Sequence, residues 1–110
     1  PDGTEAWMRT VILESPYAGD VEKNVDYARA AMLDCLNRGE SPMASHLLYT
    51  QVLDDGVPEY RRLGIDAGHA WARKADGIVF YADLGWSVGM MNARIMYDRA
   101  GIPYEVRTIR

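Results

Sequence analysis

Two short stretches of this chain hold the residue types that chemistry would use. In Ser15-Pro16-Tyr17-Ala18-Gly19-Asp20 a hydroxyl, a phenol, a glycine and an acid lie close together. In Asp83-Leu84-Gly85-Trp86-Ser87-Val88-Gly89-Met90 an acid precedes an indole, a serine and glycines. A carboxylate at Asp83 accepts hydrogen bonds from sugar hydroxyls or serves as an acid or base. The flat faces of Tyr17, Tyr49, Tyr81 and Trp86 suit a nucleobase with a polar edge. Asp20 and Ser87 stand where helices begin, and the free N–H groups of a helix start favour an anion such as phosphate. Gly19, Gly85 and Gly89 allow a ligand close to the backbone, and His46 is placed to contact a phosphate or a base edge.

Each residue also has a plainer use. The glycines serve turns. Tyr81 lies inside a strand and is read as core, whereas Tyr17 lies in a loop and is read as a ligand contact. Asp54 and Asp55 are read as turn formers, His46 as a histidine capping the next helical turn, and His69 as a structural residue within a helix. Neither glycine-containing loop matches a P-loop or a G-x-G-x-x-G fingerprint. The two histidines form no metal pattern, so neither metal nor cofactor is expected.

The elements that must position these groups are legible from periodicity. Met8 to Glu14 is an apolar, β-branched run, read as a strand buried on both faces and stopped by Pro16 and Gly19. A helix follows, with Asp20 as N-cap, Ala28, Ala31, Met32, Cys35 and Leu36 at helical spacing, and Gly39 at its end. Ser41 to Ser45 reads as a brief second strand with His46 at its end, and Leu47 to Leu53 as a helical turn. Pro58 opens a helix to about Lys74, with Leu63, Ala67, Ala70 and Trp71 among its apolar positions. Gly77 to Ala82 has the continuous apolar character of a central parallel strand. Ser87 caps a helix to about Arg99 that Gly101 ends, and Tyr104 to Ile109 alternates as a last strand. Strands alternating with helices predict an α/β, Rossmann-like three-layer domain with a mainly parallel sheet of four or five strands. Ligands in such sheets bind beyond the carboxyl ends of the strands, where the loops after Glu14, Ser45 and Ala82 converge.

Composition narrows the function. With 110 residues, 48% hydrophobic and 25% charged, the chain suits one domain over residues 7–110, preceded by a disordered lead-in at residues 1–6. Twelve Lys and Arg against sixteen Asp and Glu leave a net charge of −4 with no basic cluster, so a nucleic-acid partner is not expected. The single cysteine, Cys35, cannot form an internal disulfide and fits a reducing cytoplasm. No apolar run approaches the ~18 residues of a membrane span, so no membrane partner is expected either.

Taken as an ordered set, several segments look familiar: Ser15 to Asp20, Asn24, Tyr27-Ala28, Pro42-Met43-Ala44-Ser45-His46-Leu47, Leu53-Asp54-Asp55, Arg61-Arg62-Leu63-Gly64, Ala75-Asp76, Ser87-Val88-Gly89-Met90 and Gly101-Ile102-Pro103. Over about Val11 to Arg107 the chain resembles small phage and prophage proteins of the nucleoside 2-deoxyribosyltransferase-like superfamily. The resemblance implies a nucleoside- or nucleotide-binding domain, a homo-oligomer in which a neighbour completes the pocket, and, for a phage protein, residence in the host cytoplasm. In the transferases a tyrosine near the first strand and an Asp after the central strand hold the substrate; Tyr17 and Asp83 match them. Their nucleophile is a glutamate in the next helix. Counting from Asp83 places it at Gly89, and counting from Ser87-Val88-Gly89-Met90 places it at Ala93; neither residue can attack carbon. The one carboxylate between Leu84 and Tyr104, Asp98, lies about three turns into the helix.

Three readings follow. The chain is a binding protein that has kept a nucleotide pocket without the nucleophile, and it sequesters a nucleotide signal of the cyclic ADP-ribose type made by a host defence system. Alternatively it is a nucleoside or nucleotide N-glycosidase in which Asp83 or Glu14 positions water, although Glu14 also reads as a paired, buried charge. A third reading is an interaction module with Met90, Met91 and Met96 at a subunit interface. The ligand-binding set common to the first two is Ser15, Tyr17, Gly19, Asp20, His46, Asp83, Trp86, Ser87, Gly89 and Met90.

Overall fold

The computed structural model describes residues 7–110, and the lead-in expected at residues 1–6 lies outside the described residues. Four strands, β1 (Arg9–Glu14), β2 (Glu40–Met43), β3 (Gly77–Tyr81) and β4 (Glu105–Arg107), form one sheet in the order β2-β1-β3-β4 with every pair parallel. Helix α1 (Val21–Asn37) joins β1 to β2. A single turn α2 (Ser45–Leu48), a 3-10 turn (Tyr49–Gln51) and α3 (Pro58–Ala72) join β2 to β3, and α4 (Val88–Ala100) joins β3 to β4.

Alternation along the central strands builds two cores. Val11, Leu13, Val79 and Tyr81 pack on one face with Ala31 and Cys35 of α1. Ile12, Ile78 and Phe80 pack on the other with Ala72 of α3 and Met90, Ala93 and Tyr97 of α4. Helices therefore cover both faces, which is the expected Rossmann-like three-layer arrangement. Among the described residues no helix is long and apolar enough to cross a membrane.

Local chemistry sets the element ends. Asp20 Oδ1 accepts the Lys23 N–H at 3.2 Å to start α1, and Ser87 Oγ accepts the Met90 N–H at 3.2 Å to start α4. Gly101, at φ 69°, takes the left-handed conformation that ends α4, and the Ile102 N–H returns to the Tyr97 carbonyl at 2.9 Å.

Three elements differ from expectation. β2 starts and stops earlier than Ser41 to Ser45, because the Ala44 carbonyl already accepts the Leu47 N–H at 3.0 Å and the chain turns helical at Ser45. β4 covers Glu105–Arg107 rather than Tyr104 to Ile109. It pairs only with Val79 to Tyr81, and beyond them the Ile109 and Arg110 amides turn to the Asp83 carboxylate. Of the apolar positions expected in α3, Leu63, Ala70 and Trp71 are exposed, Leu63 and Trp71 at 56% and 53%, while Gly68 and Ala72 are buried. The helix approaches its neighbours through its smallest side chains.

Gly68 shows how close that approach is. A Cβ there would sit 2.5 Å from Ser45 Oγ and 2.7 Å from Ser45 Cβ. Glycine to alanine in an open helix gains about 1 kcal/mol. Here overpacking, at about 1–3 kcal/mol, outweighs that gain. Gly68→Ala is expected to lose about 1 kcal/mol net by urea unfolding, and a gain would show that α2 and α3 separate freely.

Candidate functional site

At the carboxyl edge of the sheet the chain encloses a cavity of about 440 Å³. The end of β1 with the loop to Gly19, α2 and the segment after it to Asp55, α3 from Tyr60 to His69 and the start of α4 to Ala93 form its wall. Its volume is that of a small-molecule site. Of the ten expected ligand residues, Ser15, Tyr17, Gly19, His46, Ser87, Gly89 and Met90 line it.

The other three lie outside that lining. Asp20 caps α1. Trp86 stacks on Phe80, ring centroids 4.8 Å apart, with the Arg94 guanidinium 5.1 Å from its ring. Asp83, expected at the crevice mouth, turns instead toward α1 and the C-terminal segment. Its Oδ2 accepts the Tyr27 hydroxyl at 2.6 Å and the Ile109 N–H at 2.9 Å. The Tyr27 hydrogen bond, with the backbone donors, holds the Asp83 carboxyl below its ordinary range. Three donors, from Tyr27, Ile109 and Arg110, converge on that side, so the carboxylate is consumed by structure.

Glu14, the last residue of β1, takes the place in the cavity that Asp83 was expected to fill. Its Oε1 accepts the Tyr97 hydroxyl of α4 at 2.8 Å. Burial raises its carboxyl to about 7, against the lowering effect of that hydrogen bond. Tyr97 is pushed up in turn by burial and by the adjacent carboxyl. Next in sequence, Ser15 Oγ lies 2.7 Å from His46 Nε2, and the Tyr17 ring meets the His46 ring edge-on at 6.4 Å. Burial lowers His46 to about 4, so its imidazole is neutral at physiological pH.

Sequence reasoning passed over several wall residues. His69 lines the cavity and packs edge-on against Tyr97 at 5.8 Å, and burial lowers it too. Asp55, read as a turn former, pairs with Arg61 at 3.1 Å on the same wall. Tyr60, Gly64 and Ile65 complete that side together with Tyr49, whose ring was expected near a base. No spacing rule links them to β1, because the approach of α2 to α3 creates their proximity. The start of α4 also lines the cavity, where the Val88 and Gly89 amides precede any intrahelical acceptor and the Met90 N–H is taken by Ser87 Oγ at 3.2 Å. The core methionine Met90 is 1% exposed, and only Met91 of the three methionines reaches the surface extensively.

Residues 9–107 match the family model described as a domain of unknown function, DUF7768. The chain belongs to that family. No curated protein and no solved structure matches it. In this DUF7768 chain the matched segment contains the whole sheet and every residue lining the cavity. Positions 89 and 93 of α4, glycine and alanine, both lie on that lining, and Glu14 and Asp55 are its two carboxylates.

Proposed function

We propose that the cavity binds a nucleoside or nucleotide. The observation that carries this reading is the meeting, at the carboxyl edge of a parallel sheet, of the Tyr17 and Tyr49 rings, a neutral His46 and the N-terminus of α4. The rings offer stacking surface for a base, and the α4 amides suit a phosphate. The similarity of the chain to deoxyribosyltransferase-like phage proteins, without a glutamate at position 89 or 93, supports retention of the ligand over sugar transfer. On this reading a phage-encoded copy sequesters a nucleotide signal in the host cytoplasm. An N-glycosidase is the second reading. Glu14 favours it, because it places a carboxyl of raised pKa on the cavity wall where Asp83 places none.

Thermal unfolding with adenosine, AMP, ADP-ribose and a cyclic ADP-ribose tests the proposal. A ligand that binds only the folded chain, at one hundred times its Kd, adds about 2.7 kcal/mol and raises Tm by several degrees. No shift with any of the four would refute nucleotide binding. Chromatography of the same mixtures separates the two readings, since sequestration returns intact nucleotide and hydrolysis releases base.

The homo-oligomer with a shared pocket is proposed on a changed surface. Met90 and Met96 pack inward, whereas Val88, Met91 and Ile95 present an apolar stripe on α4 that begins at the cavity. Sedimentation of Met91→Glu is expected to show monomer where the unaltered chain shows dimer or higher.

A further inference from the structure

We propose that Glu14 meets the ligand as a carboxylic acid, with Tyr97 held on Oε1 and the Oε2 proton donated to an anionic, phosphate-type oxygen. This rests on the nucleotide reading of the cavity and assigns the ligand group that Glu14 recognises.

The geometry points this way from three sides. First, Oε1 is occupied by the Tyr97 hydroxyl at 2.8 Å. Among the described residues no fully buried side-chain oxygen lacks a hydrogen-bond partner. Oε2 has no hydrogen-bond partner among the described residues and is not fully buried, on a side chain that lines the cavity. Second, no cation among the described residues is placed to balance a carboxylate there. α4 brings Tyr97 and Asn92, α3 brings His69, α2 brings His46 across Ser15, and β3 sets Phe80 in register with Glu14. The two charged groups on the remaining wall, Asp55 and Arg61, pair with each other. Third, the same cavity carries the amide-rich start of α4, which favours an anion. A carboxylate at Glu14 would repel that anion, and an acid donates to it.

Burial supports the assignment, because a carboxyl that titrates at about 7 is half protonated at neutrality without a ligand. An anion alongside raises it further. Above pH 7 the complex therefore forms with uptake of one proton from the buffer, and affinity falls as pH rises. His46, lowered by burial to about 4, stays neutral across this range, and burial lowers His69 below its ordinary value as well.

The test has two measurements on the full chain and on Glu14→Gln. Carbon-detected NMR of glutamate-labelled protein follows the Glu14 carboxyl without ligand, and a titration near 7, absent in Glu14→Gln, is expected. Affinity is then measured at pH 6 and pH 8 for the nucleotide that most raises Tm among AMP, ADP-ribose and a cyclic ADP-ribose. The unaltered chain is expected to bind about tenfold more weakly at pH 8 than at pH 6. Glu14→Gln keeps a neutral donor and is expected to show only the change that the phosphate's own ionisation brings. Titration near the ordinary 4.5, or equal pH dependence in both proteins, overturns the assignment and leaves nucleotide binding standing. If none of the four ligands shifts Tm, the nucleotide reading fails and this assignment falls with it.

Discussion

Arg107→Ala is expected to cost about 3–5 kcal/mol of folding free energy, enough to unfold much of the chain at 37 °C when a domain holds ~5–15 in all. The Arg107 guanidinium spans both oxygens of Glu40, at 2.6 Å and 2.7 Å, and the two side chains are 7% and 8% exposed. It also donates to the Tyr81 hydroxyl at 3.4 Å, and that hydroxyl donates to Asp34 at 2.6 Å. The strands at the two edges of the sheet are thereby tied together across the α1 side. Truncating Arg107 strands a buried carboxylate, with only the half-exposed Arg9 still within 3.4 Å. Replacing both members by apolar residues, as in Glu40→Leu with Arg107→Met, is expected to recover most of the loss, since no buried charge is left unpaired. Urea unfolding followed by circular dichroism measures both proteins. A loss under about 1 kcal/mol in Arg107→Ala would mean that solvent reaches the pair freely.

Glu14→Gln is expected to raise stability at pH 8 by about 2–3 kcal/mol while leaving it unchanged at pH 4. The Glu14 carboxyl moves from an ordinary 4.5 to about 7 on folding. The folded chain therefore holds a proton that the unfolded chain has already lost between those values. Stability from this group is complete below about 4.5 and declines as pH rises through 7, by about 1.4 kcal/mol for each pH unit that separates the two values. Glutamine keeps the acceptor for Tyr97 and carries no charge to desolvate. Glu40 runs the other way. The Arg107 hydrogen bond lowers its pKa, so its contribution is present above the ordinary carboxylate range and is lost as pH falls through its folded value. His46, lowered by burial from 6.5 to about 4, opposes Glu14 between about pH 4.5 and 6.5, because the unfolded chain takes up a proton there that the folded imidazole refuses; the Glu14 contribution is therefore read as the difference between the unaltered chain and Glu14→Gln. Melting curves of the unaltered chain and of Glu14→Gln from pH 4 to pH 8 test this, and a difference between the two that stays constant with pH would remove Glu14 as a buried acid.

A stabilising substitution on a cavity wall has a functional meaning. A residue that costs folding energy at neutral pH and lines a cavity has the character of a site residue, and Gly89 and Ala93 leave room beside it. Asp83 shows the contrast. It sits at the end of the central strand, where ligand-binding acids are sought, but satisfied donors surround it and its charge supports the turn onto the C-terminal segment.

Much of the architecture was decided locally and is therefore legible in the chain itself. The β-branched runs at 9–14 and 77–81, the caps at Asp20 and Ser87, Pro58 at the head of α3 and Gly101 at the end of α4 act within a few residues, through backbone hydrogen bonds and allowed φ, ψ. Alternating elements then leave a parallel sheet as the arrangement that buries every apolar face, and its carboxyl edge as the place for a site. Tertiary structure alone decided which groups meet there. Whether an acid at a strand end faces the cavity or a tyrosine on α1 depends on donors far away in sequence, as with Tyr27 and Asp83, 56 positions apart. The Glu40 and Arg107 pair, 67 positions apart, and the Glu14 and Tyr97 pair, 83 apart, arise in the same way. Such contacts follow from register and helix packing, which fix side chains in space only after the whole sheet has closed.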